Sequence, residues 1–342
     1  SNEARVLRGV FESWGAESRI YSEPRRILPE LRDEARDAAA AAADLRPDDI
    51  AFLHLSIGSD VNDLFPSLPC RKVILYHNVT PPEYFRGLQE QIAANLARGR
   101  EQMKRLAGVA DVVMADSEYN AGELRDLGYG EVSVLPLVLD MRSLRGKPHR
   151  RVLRQLDDGF VNILFVGRCV PNKRLEDCLN AFYFFQKTVC PKSRLIHVGS
   201  FAGTEQYHAL LLTRMRDLGL EHVDLVGSVR QNELNAYFDA ADIFLCMSEH
   251  EGFCIPVIEA MVHRVPVLAY AAAAVPETMG GAGVLVREKQ FDQIAEMMGR
   301  LVEPGPFRDA VIAGQDRRIA AYEARDLQAE LKARLSRLLS PV

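Results

Sequence analysis

The sequence predicts an α/β protein built from two doubly wound units in tandem. Three observations carry that prediction. From Val161 onward, short apolar runs alternate with helical stretches: Val161 to Val166, Arg194 to Val198, Val223 to Val226, Ile243 to Met247, Val267 to Tyr270 and Gly283 to Val286. Such runs, without in–out alternation, are strands of a parallel sheet covered on both faces. A looser version of the same alternation fills the first half. The length of 342 residues also exceeds one ordinary domain.

Composition narrows the function. With 48% hydrophobic and 26% charged residues the chain is globular, and a net charge of −5 argues against a nucleic-acid partner. No apolar run approaches the roughly 20 residues that span a bilayer. Cys70, Cys169, Cys178, Cys190, Cys246 and Cys254 are scattered without a C-x-x-C pair, so reduced packing residues are expected, in the cytoplasm. No signal peptide is visible.

In chain order, Glu3 to Ser13 has a helical pattern of apolar residues, ended by Gly15, and Glu17 to Tyr21 follows as a short strand. A helix followed by a strand suggests that the usual first strand is cut off or disordered ahead of this sequence. Ala35 to Leu45 reads as an alanine-rich helix, and Ile50 to Leu55 and Lys72 to Tyr76 as strands with polar residues at their ends. His54, Ser56 and His77 are the candidates there. Glu83 to Leu106 reads as one long helix with a basic face. Such a face can lie on an anionic membrane. Glu90 and Glu101 dilute the charge and favour a plain solvated face. Asp111 to Ala115 and Val132 to Leu135 complete the strands of the first half. Met141 to Asp158 reads as the link, and Phe291 to Leu301 and Ala310 to Leu339 as terminal helices.

The chemistry concentrates in Ser248 to Val267. Glu251 and Glu259, with seven residues between them, follow a buried strand, and Pro256 suits the first residue of a helix. A loop running into a helix presents free N–H groups and a positive dipole end, which favour an anion. Gly252 would let the backbone approach a ligand closely. Carboxylates do not bind phosphate, but each accepts two hydrogen bonds from a vicinal diol. Phosphate flanked by diols describes a nucleotide sugar. A bland reading competes on even terms: Glu259 complements its helix dipole, and Ser248 with Glu251 forms a capping box. The strand Val161 to Val166 ends in Gly167 and Arg168, with Lys173 five residues on. Ligands sit at the carboxyl ends of parallel strands, so two cations would face the same ligand. No D-x-D pair is present to hold a metal between phosphates. Glu249-His250-Glu251 is the weaker metal reading, since magnesium prefers carboxylates with water.

The run S-x-x-E-G-F-x-x-P-x-x-E-A-x-x-x-x-x-P-V from Ser248 to Val267 resembles the donor-site signature of glycosyltransferase family 4. V-G-R-x-V-P-x-K from Val166 to Lys173 is similar to the diphosphate loop of the same family. Departures fall at Arg174 and Arg264, where members often carry Gly, and the Gly-rich turn after the family's first strand has no counterpart here.

The resemblance implies a GT-B fold: two Rossmann-like doubly wound domains facing a central cleft, with the C-terminal helix crossing back to the first domain. The expected boundaries are 1–145 for acceptor binding, 146–320 for donor binding and 321–342 for the returning helix. It implies a retaining hexosyltransferase that needs no metal or other cofactor, with UDP- or GDP-sugar as donor. The acceptor would be a glycan, lipid-linked or small-molecule hydroxyl. Peripheral contact with the inner face of the cell membrane stays open.

By the same resemblance Arg168 and Lys173 grip the diphosphate. Glu251 positions the sugar with the N–H groups of Phe253 and Cys254, beside Gly252, and Glu259 holds the ribose. Gly199, Val229 and Arg230 lie against the base. His77 faces the reacting carbon, and Ser117 follows the corresponding strand in a stabilising role. A nucleotide-sugar epimerase or a phosphorylase of the same fold, and a non-catalytic two-lobed binding protein, are the alternatives.

Overall fold

Strand polarity and order are decided by the connections. The computed structural model describes residues 2–27, 32–137 and 139–339. Twelve strands appear among them: β1 (Ile20–Ser22), β2 (Ala35–Asp37), β3 (Ile50–Leu55), β4 (Arg71–Tyr76), β5 (Val112–Ala115), β6 (Val132–Val134), β7 (Val161–Val166), β8 (Ser193–Val198), β9 (Val223–Gly227), β10 (Ile243–Cys246), β11 (Val267–Tyr270) and β12 (Val284–Val286). The chain divides into two compact units, Ser1–Glu83 with Glu90–Leu139 and Asp326–Val342, and Tyr84–Gln89 with Asp140–Arg325.

In the first unit β3-β4-β5-β6 form a parallel sheet in sequential order. The helix Leu327–Leu339 belongs to this unit, so the chain does cross back to it. Leu331, Leu335 and Leu338 repeat at helical spacing and are buried with Leu7, Val73, Leu75, Met114 and Leu135. Burying each is worth about 1.5–3 kcal/mol. Arg334 adds a hydrogen bond from its Nε to the Val134 carbonyl at 2.9 Å.

In the second unit the order β12-β11-β10-β7-β8-β9 is fully parallel. Counted from β7, this is the dinucleotide-binding order, with its reversal between β7 and β10. In sheets of this order, ligands bind at the carboxyl ends of the strands on either side of the reversal.

Four local expectations fail for identifiable reasons. Ala35 to Leu45 is not one helix. Its first residues pair with β1, and the Asp37 carboxylate caps Ala39 N at 2.9 Å, leaving a 3-10 turn and one short helix, Ala41–Asp44. Helix propensity is a weak prior, and sheet pairing overrides it here. The helix expected over Glu83 to Leu106 spans only Glu90–Arg105. A 3-10 turn at Pro82–Tyr84 and Gly87 at φ +77° occupy the approach, and residues 84–89 join the second unit.

Met141 to Asp158 is not a free link but two helices, Met141–Leu144 and Arg150–Leu156. Asn235 Nδ2 donates to the carbonyls of Ser143 and Gly146, and His149 N to that of Asn232. The unit boundary thus falls at Asp140, ahead of the expected residue 145. The terminal helical region breaks into Pro306–Glu323 and Leu327–Leu339, so the returning helix starts after residue 321. Residues 340–342 of the expected last segment lie outside the described residues.

Arg174 and Arg264 are both left-handed, at φ +52° and +57°. That conformation costs a non-glycine residue roughly 1 kcal/mol. Arg264 closes the helix Ile255–Val262: its N–H donates to Met261 O, and the next N–H, of Val265, donates to Ala260 O. Arg264 is therefore an exposed residue that ends the helix.

Candidate active site

The loops after β7 and β10 are joined at three points. Glu249 N donates to Asn172 O at 3.0 Å, Asn172 Nδ2 donates to His250 O at 3.0 Å, and Lys173 Nζ donates to Glu251 Oε2. Glu251 is buried, and Lys173 is mostly so. Burial works against the Lys173 ammonium, but the neighbouring Glu251 carboxylate outweighs it and raises the lysine above its ordinary pKa. Lys173 is therefore a fixed cation. The sequence placed both residues at one ligand but not in contact. Arg168 is exposed, with its Nη2 reaching the Ala202 carbonyl at 3.4 Å.

Around this pair the backbone comes close. A Cβ on Gly199 would stand 1.8 Å from the Gly167 carbonyl oxygen, so no side chain fits there. Gly167 N donates to Val198 O and Gly199 N to Gly227 O. The carboxyl ends of β7, β8 and β9 thus present bare backbone beside Arg168. Val229 is half-buried and Arg230 exposed in the loop beyond β9, where Arg230 N donates to the Glu233 carboxylate at 2.9 Å.

Cys254 caps the helix Ile255–Val262, and Pro256 is its second residue, one later than expected. The capping box of Ser248 and Glu251 does not form, because the helix starts beyond both. The left-handed residue of this loop is Cys254, at φ +74°, and not Gly252. That turn, with the Thr278 hydroxyl donating to Phe253 O and Ala274 N to Glu251 O, holds the loop open toward the helix N-terminus. Among the described residues the N–H groups of Phe253 and Cys254 have no acceptor, as is usual in the first turn of a helix. The Cys254 thiol lies 4.0 Å from that of Cys246, and the two stand close to Glu251.

Glu259 is buried, and its carboxylate has no hydrogen-bond or ion-pair partner among the described residues. Burial alone pushes its pKa up to about 7. A buried carboxylate without donors is costly unless something else supplies them. Of Glu249-His250-Glu251, Glu249 is held by Lys289 Nζ at 2.6 Å and Glu251 by Lys173.

In the first unit, His77 follows β4. Its Nδ1 faces Asp116 Oδ2 at 3.4 Å, and its Nε2 lies 2.9 Å from His54 Nδ1 and 3.3 Å from Glu3 Oε2. Burial disfavours the His77 cation, but Asp116 and Glu3 together raise its pKa. Burial, with the charge of His77, drives His54 down to about 3, so His54 is neutral. Asp116 is buried and accepts from Asn120 Nδ2, while Ser117 caps the helix Glu118–Asp126. Ser56 is exposed. Glu3 and Asp116 were not singled out from sequence. Asp116 had a signal, lying one residue past a strand end, whereas Glu3 looked like an ordinary first-turn helix acid.

The family model for group 1 glycosyl transferases matches residues 161–304, which include the loops after β7 and β10 but not His77. A putative teichuronic acid biosynthesis glycosyltransferase, TuaC, of Bacillus subtilis is 27% identical over 204 residues, 58% of this chain and 48% of the relative. A D-inositol 3-phosphate glycosyltransferase of Streptosporangium roseum is 27% identical over 237 residues, 66% of this chain and 54% of the relative. The chain spans about half the length of the curated relatives it matches. Among solved structures, Anabaena Alr3699/HepE in complex with UDP and glucose superposes with a TM-score of 0.76 at 15% identity, covering 98% of this chain and 96% of that one. The fold is GT-B. No helix among the described residues is long and apolar enough to cross a membrane.

Proposed function

We propose that this protein is a glycosyltransferase. It moves a hexose-type sugar from a UDP- or GDP-sugar to a hydroxyl of a glycan, a lipid-linked molecule or a small molecule, with retention and without a metal at the diphosphate. The observation that carries this reading is Glu259: a buried carboxylate with no partner, on the helix whose N-terminus has free N–H groups. A ribose diol supplies two donors to such a carboxylate. The group 1 match over the second unit and the UDP and glucose bound by the Anabaena neighbour support the same reading.

In this account Arg168 and Lys173 neutralise the diphosphate. An ammonium has three N–H donors, so Lys173 can keep Glu251 and still meet a phosphate oxygen. The Phe253 and Cys254 N–H groups, with Glu251, orient the transferred sugar, and Gly199, Val229 and Arg230 face the base. Transfer runs on one face of the sugar. The bond from the acceptor oxygen to the anomeric carbon forms as the bond from that carbon to phosphate breaks, and the acceptor proton passes to the departing phosphate oxygen. Charge building on the diphosphate is met by the two cations, which act where the transition state needs them. The first unit takes the acceptor, with His77 as its candidate contact.

The test uses water as a slow acceptor. With UDP- or GDP-sugars and excess chelator, proton NMR should show a free sugar that keeps the donor anomeric configuration, with release of nucleoside diphosphate. Inverted product, an absolute need for added Mg²⁺, or conversion to an epimeric nucleotide sugar with no release would reject the proposal.

A further inference from the structure

The geometry points to a second site, in the first unit, where Glu3, His54 and His77 together bind one divalent late transition ion of the zinc type. All three residues belong to one unit and none to the loops after β7 and β10, so it stands apart from the donor site, but an ion on His77 would replace the direct acceptor contact proposed for that residue.

Three atoms that carry lone pairs converge from separate elements: Glu3 Oε2 from the helix Asn2–Ser13, His54 Nδ1 from β3, and His77 Nε2 from the turn after β4. Their separations are 2.9 Å between the two nitrogens, 3.3 Å from His77 to Glu3 and 3.9 Å from His54 to Glu3. A triangle with those sides has a circumradius of about 2.0 Å, so a point on or just off its plane meets all three at zinc–nitrogen and zinc–oxygen bonding distance.

The surroundings agree with that chemistry. His77 Nδ1 faces the Asp116 carboxylate, and Asn120 holds Asp116 in turn, the outer support that fixes a metal-ligating imidazole and turns its other nitrogen outward. The side chains are 8%, 26% and 15% exposed for Glu3, His54 and His77, so solvent reaches the two imidazoles and water is the fourth ligand we assign. Two imidazoles and one carboxylate suit zinc and its neighbours, whereas magnesium and calcium prefer oxygen donors alone. The rival occupant is a proton: an imidazolium at His77 shared with Glu3 would also relieve the crowding of lone pairs.

The full chain, stripped with chelator and exchanged into chelator-free buffer, is titrated calorimetrically with ZnCl₂ and, separately, with MgCl₂. We expect one zinc ion per chain, no magnesium binding, a higher unfolding midpoint with zinc, and an absorption-edge spectrum showing two imidazole ligands. His54→Ala and Glu3→Gln should each weaken zinc binding by at least about 10-fold while keeping the wild-type circular dichroism. Absence of stoichiometric binding, or binding of equal strength in both folded variants, would overturn the site. The first outcome leaves the shared proton as its occupant, and the second places the zinc elsewhere on the chain.

Discussion

Glu259→Gln is expected to weaken binding of the preferred nucleoside diphosphate by one to two orders of magnitude. Hydrogen bonds to a charged group contribute about 1.5–3 kcal/mol each, and the amide keeps shape but loses the charge that two ribose hydroxyls would seek. The same substitution removes a pH dependence. With a pKa of about 7 in the free protein, the wild-type carboxylate must ionise to accept the diol. Binding should thus be about tenfold weaker at pH 6 than at pH 8, with proton release near neutrality, and nearly flat in the variant.

Stability moves the other way. The folded pKa of Glu259 lies above its unfolded value near 4.5, so the native state holds the extra proton and is favoured at low pH. That advantage is lost as pH rises through the interval from 4.5 to 7, at a cost approaching about 3 kcal/mol above it. The variant has no such loss, although its buried amide carries a desolvation cost of its own. Denaturant unfolding of both proteins from pH 5 to 8 should give converging stabilities at the high end or a crossing in favour of Gln. Parallel curves would show that Glu259 finds a partner in the free protein.

Lys173→Met should cost about 3–5 kcal/mol of stability, because it strands the buried Glu251 carboxylate. Lys173→Met combined with Glu251→Gln removes both charges and should recover most of that loss. Sugar transfer should be lost in the single and the double variant alike. Additive stability effects in this double-mutant cycle would mean that the pair is not coupled. Recovery of stability without recovery of transfer is the signature of two residues that hold each other in place for a ligand.

The second unit was legible because its strands are uniformly apolar and its turns carry chemistry at fixed spacing. The pattern alone puts Gly167 and Arg168 at a strand end, Lys173 and Glu251 in the loops that follow β7 and β10, and Glu259 on the helix beyond. Contacts were less legible. Nothing in the spacing says that Lys173 and Glu251 touch, since 78 residues separate them and only the β7–β10 reversal brings them together.

Backbone state was also hidden. Gly252 drew attention as a glycine, while the left-handed conformation falls on Cys254, Arg174 and Arg264, residue types that rarely adopt it. In the first unit the alanine run at residues 35–45 was read by propensity, but its fate was decided by pairing with β1. Glu3 was invisible for a similar reason. An acid in the first turn of a helix is ordinary, and its importance comes from His54 and His77, which lie more than 50 residues away in sequence and 3.9 and 3.3 Å away in space.

The most direct measurement is calorimetric titration of the protein with UDP, GDP and ADP, first with chelator and then with Mg²⁺, beside Arg168→Ala. The account predicts that one diphosphate binds with chelator present, that Mg²⁺ adds little, and that Arg168→Ala weakens the binding at least about tenfold, as loss of a charge-assisted contact implies. If none of the three binds the folded protein, or Arg168→Ala binds as the wild type does, the carboxyl ends of β7 and β10 do not form a nucleotide-sugar site.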